Sequence, residues 1–341
     1  MTNSSLSINQ LMETYGTESV HLEYCKPFDC YFIVALNETH KGPSIGGTRF
    51  MSYQSTNHAI EDCVRLAYSM YAKASIVDLP HGGGKGVITK PKKNFCRRKL
   101  MEHYAEFVHG LSGRYVTAVD FGTSQHDMDI IQKKTPYVLC TTNQNNPARY
   151  TADGVILAIK TLLDHHLSIR TDLSTIAIQG LGSVGSILAK DLISMGAKVY
   201  GCDVDPEKEN HAKSMGVQII DNDSIYDIDC DIFAPCAHGA ILNSDTIPRL
   251  RASAICGAAN NQLANNRIHA EQLFQRNILY CPDFLVNAGG LICASSEYLN
   301  KDDDNISLFI KKIAPKINQL FKLSHQTNTN TYTCIQHHLR T

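Results

Sequence analysis

Residues 174–203 constrain this chain more than any other stretch. Thr175-Ile-Ala-Ile-Gln179 is a short apolar run of strand type, and Gly180-Leu181-Gly182-Ser183-Val184-Gly185 follows it at once. Val184–Met195 then carries the periodicity of an amphipathic helix, and Lys198-Val-Tyr-Gly-Cys-Asp203 reads as a second strand. Strand, glycine turn, helix and strand within about thirty residues make a βαβ unit. That unit commits this part of the chain to a parallel sheet with helices on its faces.

The spacing of the glycines says what such a unit binds. Gly180 allows the tight turn, Gly182 lets backbone approach a pyrophosphate, and Gly185 lets helix and strand pack closely, with the phosphates at the helix N-terminus. Asp203 ends the second strand, where a carboxylate accepts hydrogen bonds from an adenosine ribose 2′-OH. A 2′-phosphate would meet it as a like charge, so the expected cofactor is NAD rather than NADP. Taken alone, Asp203 reads equally as a turn residue at a strand end.

The 341 residues suffice for two domains with separate cores. Upstream of residue 140, strand-like runs (Cys30–Ala35, Tyr115–Val119) alternate with helical patterns (Thr56–Tyr71, Cys96–His109, Asp127–Lys134), and Ser55 stands where a cap would open the first of these helices. Thr141-Thr-Asn-Gln-Asn-Asn-Pro147 reads as a linker. After it come an amphipathic helix, Thr151–His165, and further buried-strand candidates at Val217–Ile220, Asp231–Ala234, Ala254–Gly257 and Ile278–Tyr280. The expected fold class is therefore α/β in two domains: a substrate-binding α/β domain over 1–145 and a Rossmann-type doubly wound parallel sheet over 146–310. Residues 311–341 are expected to form a C-terminal helix and a loosely ordered tail returning toward the first domain, because Lys322–Thr341 is polar and rich in Asn and Thr.

The formal net charge of −1 offers no basic face to nucleic acid. No apolar run reaches membrane-spanning length, and the polar start Met1-Thr-Asn-Ser-Ser lacks a signal-peptide layout. A cytoplasmic protein without nucleic-acid or membrane partners is the expectation. The twelve cysteines are scattered, often in apolar runs, as buried thiols in a reducing compartment would be. The nearest pairs, Cys25 with Cys30 and Cys230 with Cys236, lack a second pair or histidines at zinc spacing, so no metal is expected.

Four side chains carry the chemistry. Lys73 lies at the end of the Thr56–Tyr71 helix, and Lys85 follows a triple-glycine turn in His81-Gly-Gly-Gly-Lys85. Two nearby lysines disfavour each other's charge, so one can hold a carboxylate while the other works as a base. On spacing alone both read equally as solvated surface lysines. Asp120, after the run Tyr115–Val119, can orient a base or exchange a proton with an amine, or simply cap a turn. Asn287, in Asn287-Ala-Gly-Gly290, offers an amide that pairs with carboxylate oxygens and amine hydrogens, or starts the helix Leu291–Leu299.

Gly42-Pro-Ser-Ile-Gly-Gly-Thr-Arg49, Lys73, Gly82–Lys85, Asp120-Phe-Gly-Thr123, Gly180–Gly185, Asp229–Cys236 and Asn287–Gly290, in this order, resemble the glutamate/leucine/phenylalanine/valine dehydrogenase family. Within it the similarity is greatest to the leucine-specific members, notably in Cys230–Cys236 and Asp283–Gly290. The resemblance runs from about Gly42 to Leu299, and the tail beyond departs from the pattern. It implies reversible NAD-dependent oxidative deamination of an L-amino acid to a 2-oxo acid and ammonium. It implies, residue by residue, that Lys73 binds the substrate carboxylate, Lys85 activates water as a base of lowered pKa, and Asp120 moves protons to and from the nitrogen. Asn287 and the backbone of Gly46 and Gly47 would fix the substrate, and Thr151 would hold the nicotinamide carboxamide, with Asn260 also counted among the cofactor-binding residues. A cleft between domains would close to exclude water. A homo-oligomer, a dimer or higher and up to an octamer, is implied as well.

Substrate choice rests on Ile45 and Ala118, which match positions lining the side-chain pocket. Glutamate-specific relatives carry a lysine at the first of these, and an apolar residue there leaves a γ-carboxylate unpartnered at a cost of a few kcal/mol, roughly. Leucine is expected first, with valine and isoleucine; phenylalanine or another apolar amino acid is the alternative, and an NAD-binding sensor without turnover is a third reading. Val119 replaces an acid common in leucine-specific relatives, and His81 stands where they often have an apolar residue.

Overall fold

A computed structural model describes residues 7–142, 147–299 and 303–338. The chain divides into two compact units, one of Met1–Asn145 with Ala294–Lys301, the other of Asn146–Cys293 with Asp302–Thr341. Part of the expected linker, residues 143–146, lies outside the described residues.

The first unit runs α1 (Ile8–Tyr15), β1 (Ser19–Cys25), β2 (Cys30–Asn37), β3 (Ser44–Met51), α2 (Thr56–Ile76), β4 (Gly82–Thr89), α3 (Arg97–Gly110), β5 (Tyr115–Val119) and α4 (Gln125–Gln132). Its sheet has the order β1-β2-β4-β3-β5; β2 is antiparallel to β1 and β4, and β3 is parallel to β4 and β5. Because side chains alternate along a strand, each face of this sheet has its own core. Phe32, Val34, Leu36 and Ile88 pack against Leu100, Met101 and Tyr104 of α3 and Met128 of α4. Ile33, Ala35 and Val87 face Leu11 of α1 and Ala59, Cys63, Val64 and Ala67 of α2. Ser55 caps α2 as expected, its hydroxyl accepting from His58 N.

Gly82-Gly-Gly-Lys85, read from sequence as a turn, is strand β4, buried along its length until Thr89. Glycine is a poor strand former in isolation, and the reason it stands here is tertiary. A Cβ on Gly83 would overlap the α2 backbone at Tyr71, and one on Gly86 would overlap the hydroxyls of Tyr104 and Thr48 on the opposite face. The glycines therefore let a helix and a hydroxyl cluster close on both faces of one strand.

The second unit contains α5 (Pro147–Leu162), β6 (Thr175–Gln179), α6 (Ser183–Ser194), β7 (Lys198–Cys202), α7 (Pro206–Ser214), β8 (Gln218–Ile219), β9 (Asp229–Pro235), β10 (Arg251–Ile255), α8 (Asn266–Gln275), β11 (Leu279–Tyr280) and α9 (Asp283–Val286). Helix α10 (Gly289–Tyr298) starts in this unit, and α11 (Asp303–Lys311), α12 (Ile313–Thr327) and α13 (Thr331–His338) complete it. The six strands are all parallel in the order β11-β10-β9-β6-β7-β8. That is the doubly wound arrangement of a Rossmann sheet, and its strand order reverses between β6 and β9.

The tail expected to be loosely ordered is helical over most of its described residues, which end at His338. Its asparagines and threonines act at helix ends: Asn328, with φ 50°, ends α12, and Asn330 opens α13 by accepting from Thr333 N at 2.9 Å. Thr331 donates to the Tyr280 carbonyl at 2.7 Å, and Asn330 donates to Glu271 at 2.9 Å, so α13 is tied to β11 and α8 of its own unit. Polar composition here served capping, which composition alone reads as disorder.

Candidate active site

In the first unit, strand register decides which predicted residues meet. Ile45 pairs with Gly83 and Val116, Gly47 with Ala118, and Lys85 with Ala35, so Ile45, Gly47, Ala118 and Lys85 share the sheet face that α2 crosses. Asp120, two residues beyond Ala118, continues that face past the end of β5. Lys85 Nζ lies 2.8 Å from Asp120 Oδ2, and the lysine side chain is only 5% exposed. Ile45 and Ala118 are buried beside this ion pair, 1% and 7% exposed. A Cβ on Gly47 would come within 2.8 Å of Asp120 Cβ, and one on Gly46 would overlap the Gly84 carbonyl, so the paired glycines let β3 lie tightly against its neighbours. Lys73 is half-buried in the last turn of α2, the helix that packs on this face.

Asp120 is held from several sides. Its own N–H donates to Thr123 Oγ1 at 2.9 Å, and that hydroxyl donates to the Thr48 carbonyl at 2.8 Å. Arg49 Nε also reaches Asp120 Oδ2, at 3.1 Å, while Arg49 Nη1 binds Asp62 Oδ2 at 3.0 Å and Tyr53 donates to the same Asp62 oxygen at 2.7 Å. Burial favours the neutral acid, but the Lys85 and Arg49 cations outweigh it and hold the Asp120 carboxyl below its ordinary range. An ammonium and a carboxylate in direct contact beside an apolar wall can pass a proton between them and to a bound reactant. In the sequence Arg49 is marked only as the end of the Gly42–Arg49 motif. Its position two residues after Gly47 on a strand, on the same face, is the signal that could have found it.

In the second unit the glycine loop has the geometry its spacing predicts. Gly180 has φ +98°, and a Cβ there would sit 2.6 Å from Ala237 N. A Cβ on Gly185 would overlap the Gly180 carbonyl, so only glycine lets α6 start this close to β6. Gly182, by contrast, has no atom within 4 Å of the Cβ position, and it opens α6, with Ser183 and Val184 in the first turn. The protein itself leaves that position clear, as a pyrophosphate approaching a helix N-terminus needs. Leu181 is buried against Gly201 of β7, and its N–H donates to Asp203 Oδ2 at 2.8 Å. Asp203 Oδ1 accepts from Asp205 N at 3.0 Å and lies 3.6 Å from Lys208 Nζ. Asp203 thus fixes the glycine loop from the end of β7. The loop, Ala237 and the segment after β10 lie at the carboxyl ends of β6, β9 and β10, flanking the reversal of strand order.

Asn287, Asn260 and Thr151 gather in the same unit. Asn287 Nδ2 donates to the Ala258 carbonyl and to Asn260 Oδ1, both at 3.1 Å, while its buried Oδ1 has no protein partner. Thr151 Oγ1 donates to the Pro147 carbonyl at 2.9 Å and would lie 3.0 Å from a Cβ on Gly290. The amide nitrogen is committed and the amide oxygen is not, which leaves Asn287 able to accept a hydrogen bond from a ligand. Among the described residues no group of three His, Cys, Asp or Glu side chains is arranged to hold a metal.

Comparison with known proteins joins these observations. Residues 27–137 match the family model of the Glu/Leu/Phe/Val dehydrogenase dimerisation domain, and residues 204–340 that of glutamate/leucine/phenylalanine/valine dehydrogenase. The second match runs well past Leu299, so the tail expected to leave the family pattern follows it. The chain is 37% identical over 319 residues to an L-tryptophan dehydrogenase of Nostoc punctiforme, covering 93% of this chain and 90% of that one. A crystal structure of L-tryptophan dehydrogenase from that organism superposes with a TM-score of 0.86, at 35% identity and covering 98% and 97% of the two chains. Leucine dehydrogenase of Geobacillus stearothermophilus is 35% identical over 333 residues (96% and 90% covered). Phenylalanine dehydrogenase of Lysinibacillus sphaericus is 37% identical over 301 residues (85% and 78% covered). The chain belongs to the glutamate/leucine/phenylalanine/valine dehydrogenase family and is an amino acid dehydrogenase.

Proposed function

We propose that this enzyme oxidatively deaminates an apolar L-amino acid, leucine first and then valine and isoleucine, with NAD as hydride acceptor. The observation that carries the reading is the buried Lys85–Asp120 pair, 2.8 Å apart, on a sheet face it shares with Ile45 and Ala118. In this reading Lys85, as the neutral amine, takes a proton from the attacking water and becomes the ammonium, and Asp120 exchanges protons with the substrate nitrogen. Lys73 holds the α-carboxylate. Asn287 accepts a hydrogen bond from the substrate through Oδ1, and the β3 backbone at Gly46 and Gly47 positions it. Residues 1–145 supply the catalytic groups and residues 146–310 the nucleotide site. The nicotinamide ring, when bound, takes the Cα hydride; Gly182 and the first turn of α6 would meet its pyrophosphate, and Thr151 and Asn260 its nicotinamide end.

Glutamate is a poor fit because Lys85 is engaged by Asp120 and Arg49 by Asp120 and Asp62, Lys73 is given to the α-carboxylate, and Ile45 offers a γ-carboxylate nothing. NAD is favoured over NADP by the Asp203 carboxylate, which would repel a 2′-phosphate. An aromatic amino acid is the second reading, favoured by similarity to dehydrogenases named for tryptophan and phenylalanine. The match of residues 27–137 to a domain described as a dimerisation domain supports a homo-oligomer. We place the enzyme in the cytoplasm, on its scattered buried thiols.

Lys85→Ala tests the reading. Loss of the base lowers turnover at least about 100-fold while NADH binding persists. Near wild-type turnover in this variant would remove Lys85 from the mechanism.

A further inference from the structure

Arg49 stands at the centre of a continuous polar row. Tyr53 donates to Asp62, Asp62 binds Arg49, Arg49 binds Asp120, and Asp120 binds Lys85, with contacts of 2.7, 3.0, 3.1 and 2.8 Å. The Arg49 side chain is 23% exposed and Asp120 24%, so this row is largely withdrawn from water. Both cations close on the same oxygen, Asp120 Oδ2.

We propose that Arg49 is a positioning residue of the reaction: it holds the Asp120 carboxylate in place and ionised while Lys85 turns to the substrate, acting through Asp120 without touching the substrate. The proposal rests on the reading of Lys85 and Asp120 given above.

When Lys85 is the neutral amine that takes a proton from water, it no longer gives Asp120 the cation of the resting contact. If Lys85 were the only partner, each turnover would release a partly buried carboxylate from its only cation, free to rotate and to take up a proton early. A second cation prevents this. The groups facing Asp120 are Lys85 from β4, Arg49 from β3 and the Phe121 N–H, with Asp62 and Cys63 of α2 behind them. Of these only Arg49 and Lys85 are cationic, so Arg49 carries the whole charge balance whenever Lys85 leaves. Arginine suits the task because its planar fork donates to two carboxylates at once, Nε to Asp120 and Nη1 to Asp62, and Asp62 with Tyr53 fixes that fork. A lysine at 49 would keep the charge but could not span both.

Steady-state kinetics with L-leucine and NAD on Arg49→Ala, Arg49→Lys and Asp62→Asn tests this. Arg49→Ala lowers kcat about 10- to 100-fold with the leucine KM within about twofold, because the substrate-binding groups are intact. Added methylguanidinium restores several-fold of the lost kcat and methylammonium does not. In an Asp120→Asn background Arg49→Ala has no further effect on residual turnover. Arg49→Ala with kcat within twofold of wild type overturns the proposal. So does a loss that methylguanidinium leaves unchanged and that persists in the Asp120→Asn background. If Arg49→Ala does not fold, Asp62→Asn decides: it keeps the guanidinium and removes its anchor, so kcat falls while KM holds, and an unchanged kcat overturns the proposal. Full turnover by Asp120→Asn alone would instead bring down the underlying reading of Asp120, and the proposal with it; an inactive Asp120→Asn beside a fully active Arg49→Ala refutes Arg49 only.

Discussion

Gly182 and Gly185 belong to one motif, yet the structure predicts opposite consequences for placing alanine at each. Gly182 has φ −72°, which any residue adopts, and its Cβ position is clear of protein atoms. Alanine there changes only the residue that opens α6, worth about 0.5–1 kcal/mol, so the melting temperature should fall by no more than about 3 °C. The same methyl group enters the space through which a pyrophosphate must approach the helix. Overpacking of that kind costs about 1.5–3 kcal/mol, a loss of about 10- to 100-fold in NADH affinity. Gly185→Ala is the reverse case: its methyl group collides with the Gly180 carbonyl, so the fold itself is destabilised, by about 3 kcal/mol or more. Thermal melts alongside NADH fluorescence titrations separate the two effects. If Gly182→Ala bound NADH with wild-type affinity, or melted as early as Gly185→Ala, the assignment of this glycine to ligand approach would be wrong.

Two further predictions concern stability. Asp127 is 1% exposed and accepts from Arg97 Nε and Nη2, both at 2.8 Å, and from Ser124 N and Oγ at 2.7 and 2.8 Å. Burial opposes its ionisation, but Arg97 and Ser124 prevail and hold its carboxyl below the usual range. Asp127→Asn should therefore cost about 2–3 kcal/mol in urea unfolding at pH 7, with the gap to wild type closing below about pH 4 as the native carboxylate protonates; a constant gap down to pH 3 would contradict this. His81 is 2% exposed, with Nδ1 at 2.8 Å from the Gly82 carbonyl and Nε2 lacking a partner, and burial lowers its pKa despite that carbonyl. The unfolded chain protonates this imidazole near pH 6.5 while the native state resists, so wild-type stability declines below about pH 6.5. His81→Leu should remove that slope and gain about 1 kcal/mol at pH 5.5, and parallel pH profiles of the two urea midpoints would refute it.

The parts of this enzyme that were legible in sequence are those whose neighbours are local. The βαβ unit reads from thirty consecutive residues, roughly, because turn, helix start and strand end are adjacent in the chain. Lys85 and Asp120 stood out for the residues around them, but their contact is a property of the sheet: β3 lies between their strands, and register alone puts both on the face of Ile45 and Ala118. The glycine-rich strands β3 and β4 were hidden for a related reason. Local propensity argues against glycine in a strand, and what makes Gly83 necessary is Tyr71, which sequence cannot place. Asp62 carries no local signal; its role comes from α2 lying across the sheet, where Arg49 reaches it. In the tail, the capping roles of Asn328 and Asn330 depend on helices whose buried faces, at Ile317, Phe321, Cys334 and Ile335, answer to α5 and α8 far upstream.

The most direct test of the central claim is a panel of L-amino acids assayed for reduced-cofactor formation with NAD and NADP in parallel. An apolar sheet face around Lys85–Asp120 and a carboxylate at Asp203 predict NADH formation with leucine, valine and isoleucine. They predict at least about 100-fold lower kcat/KM with glutamate, and weak use of NADP. A phenylalanine or tryptophan rate far above leucine would move the assignment to the aromatic reading. Glutamate as the best substrate, or NADP as the better acceptor, would contradict the account of Ile45 or of Asp203 outright.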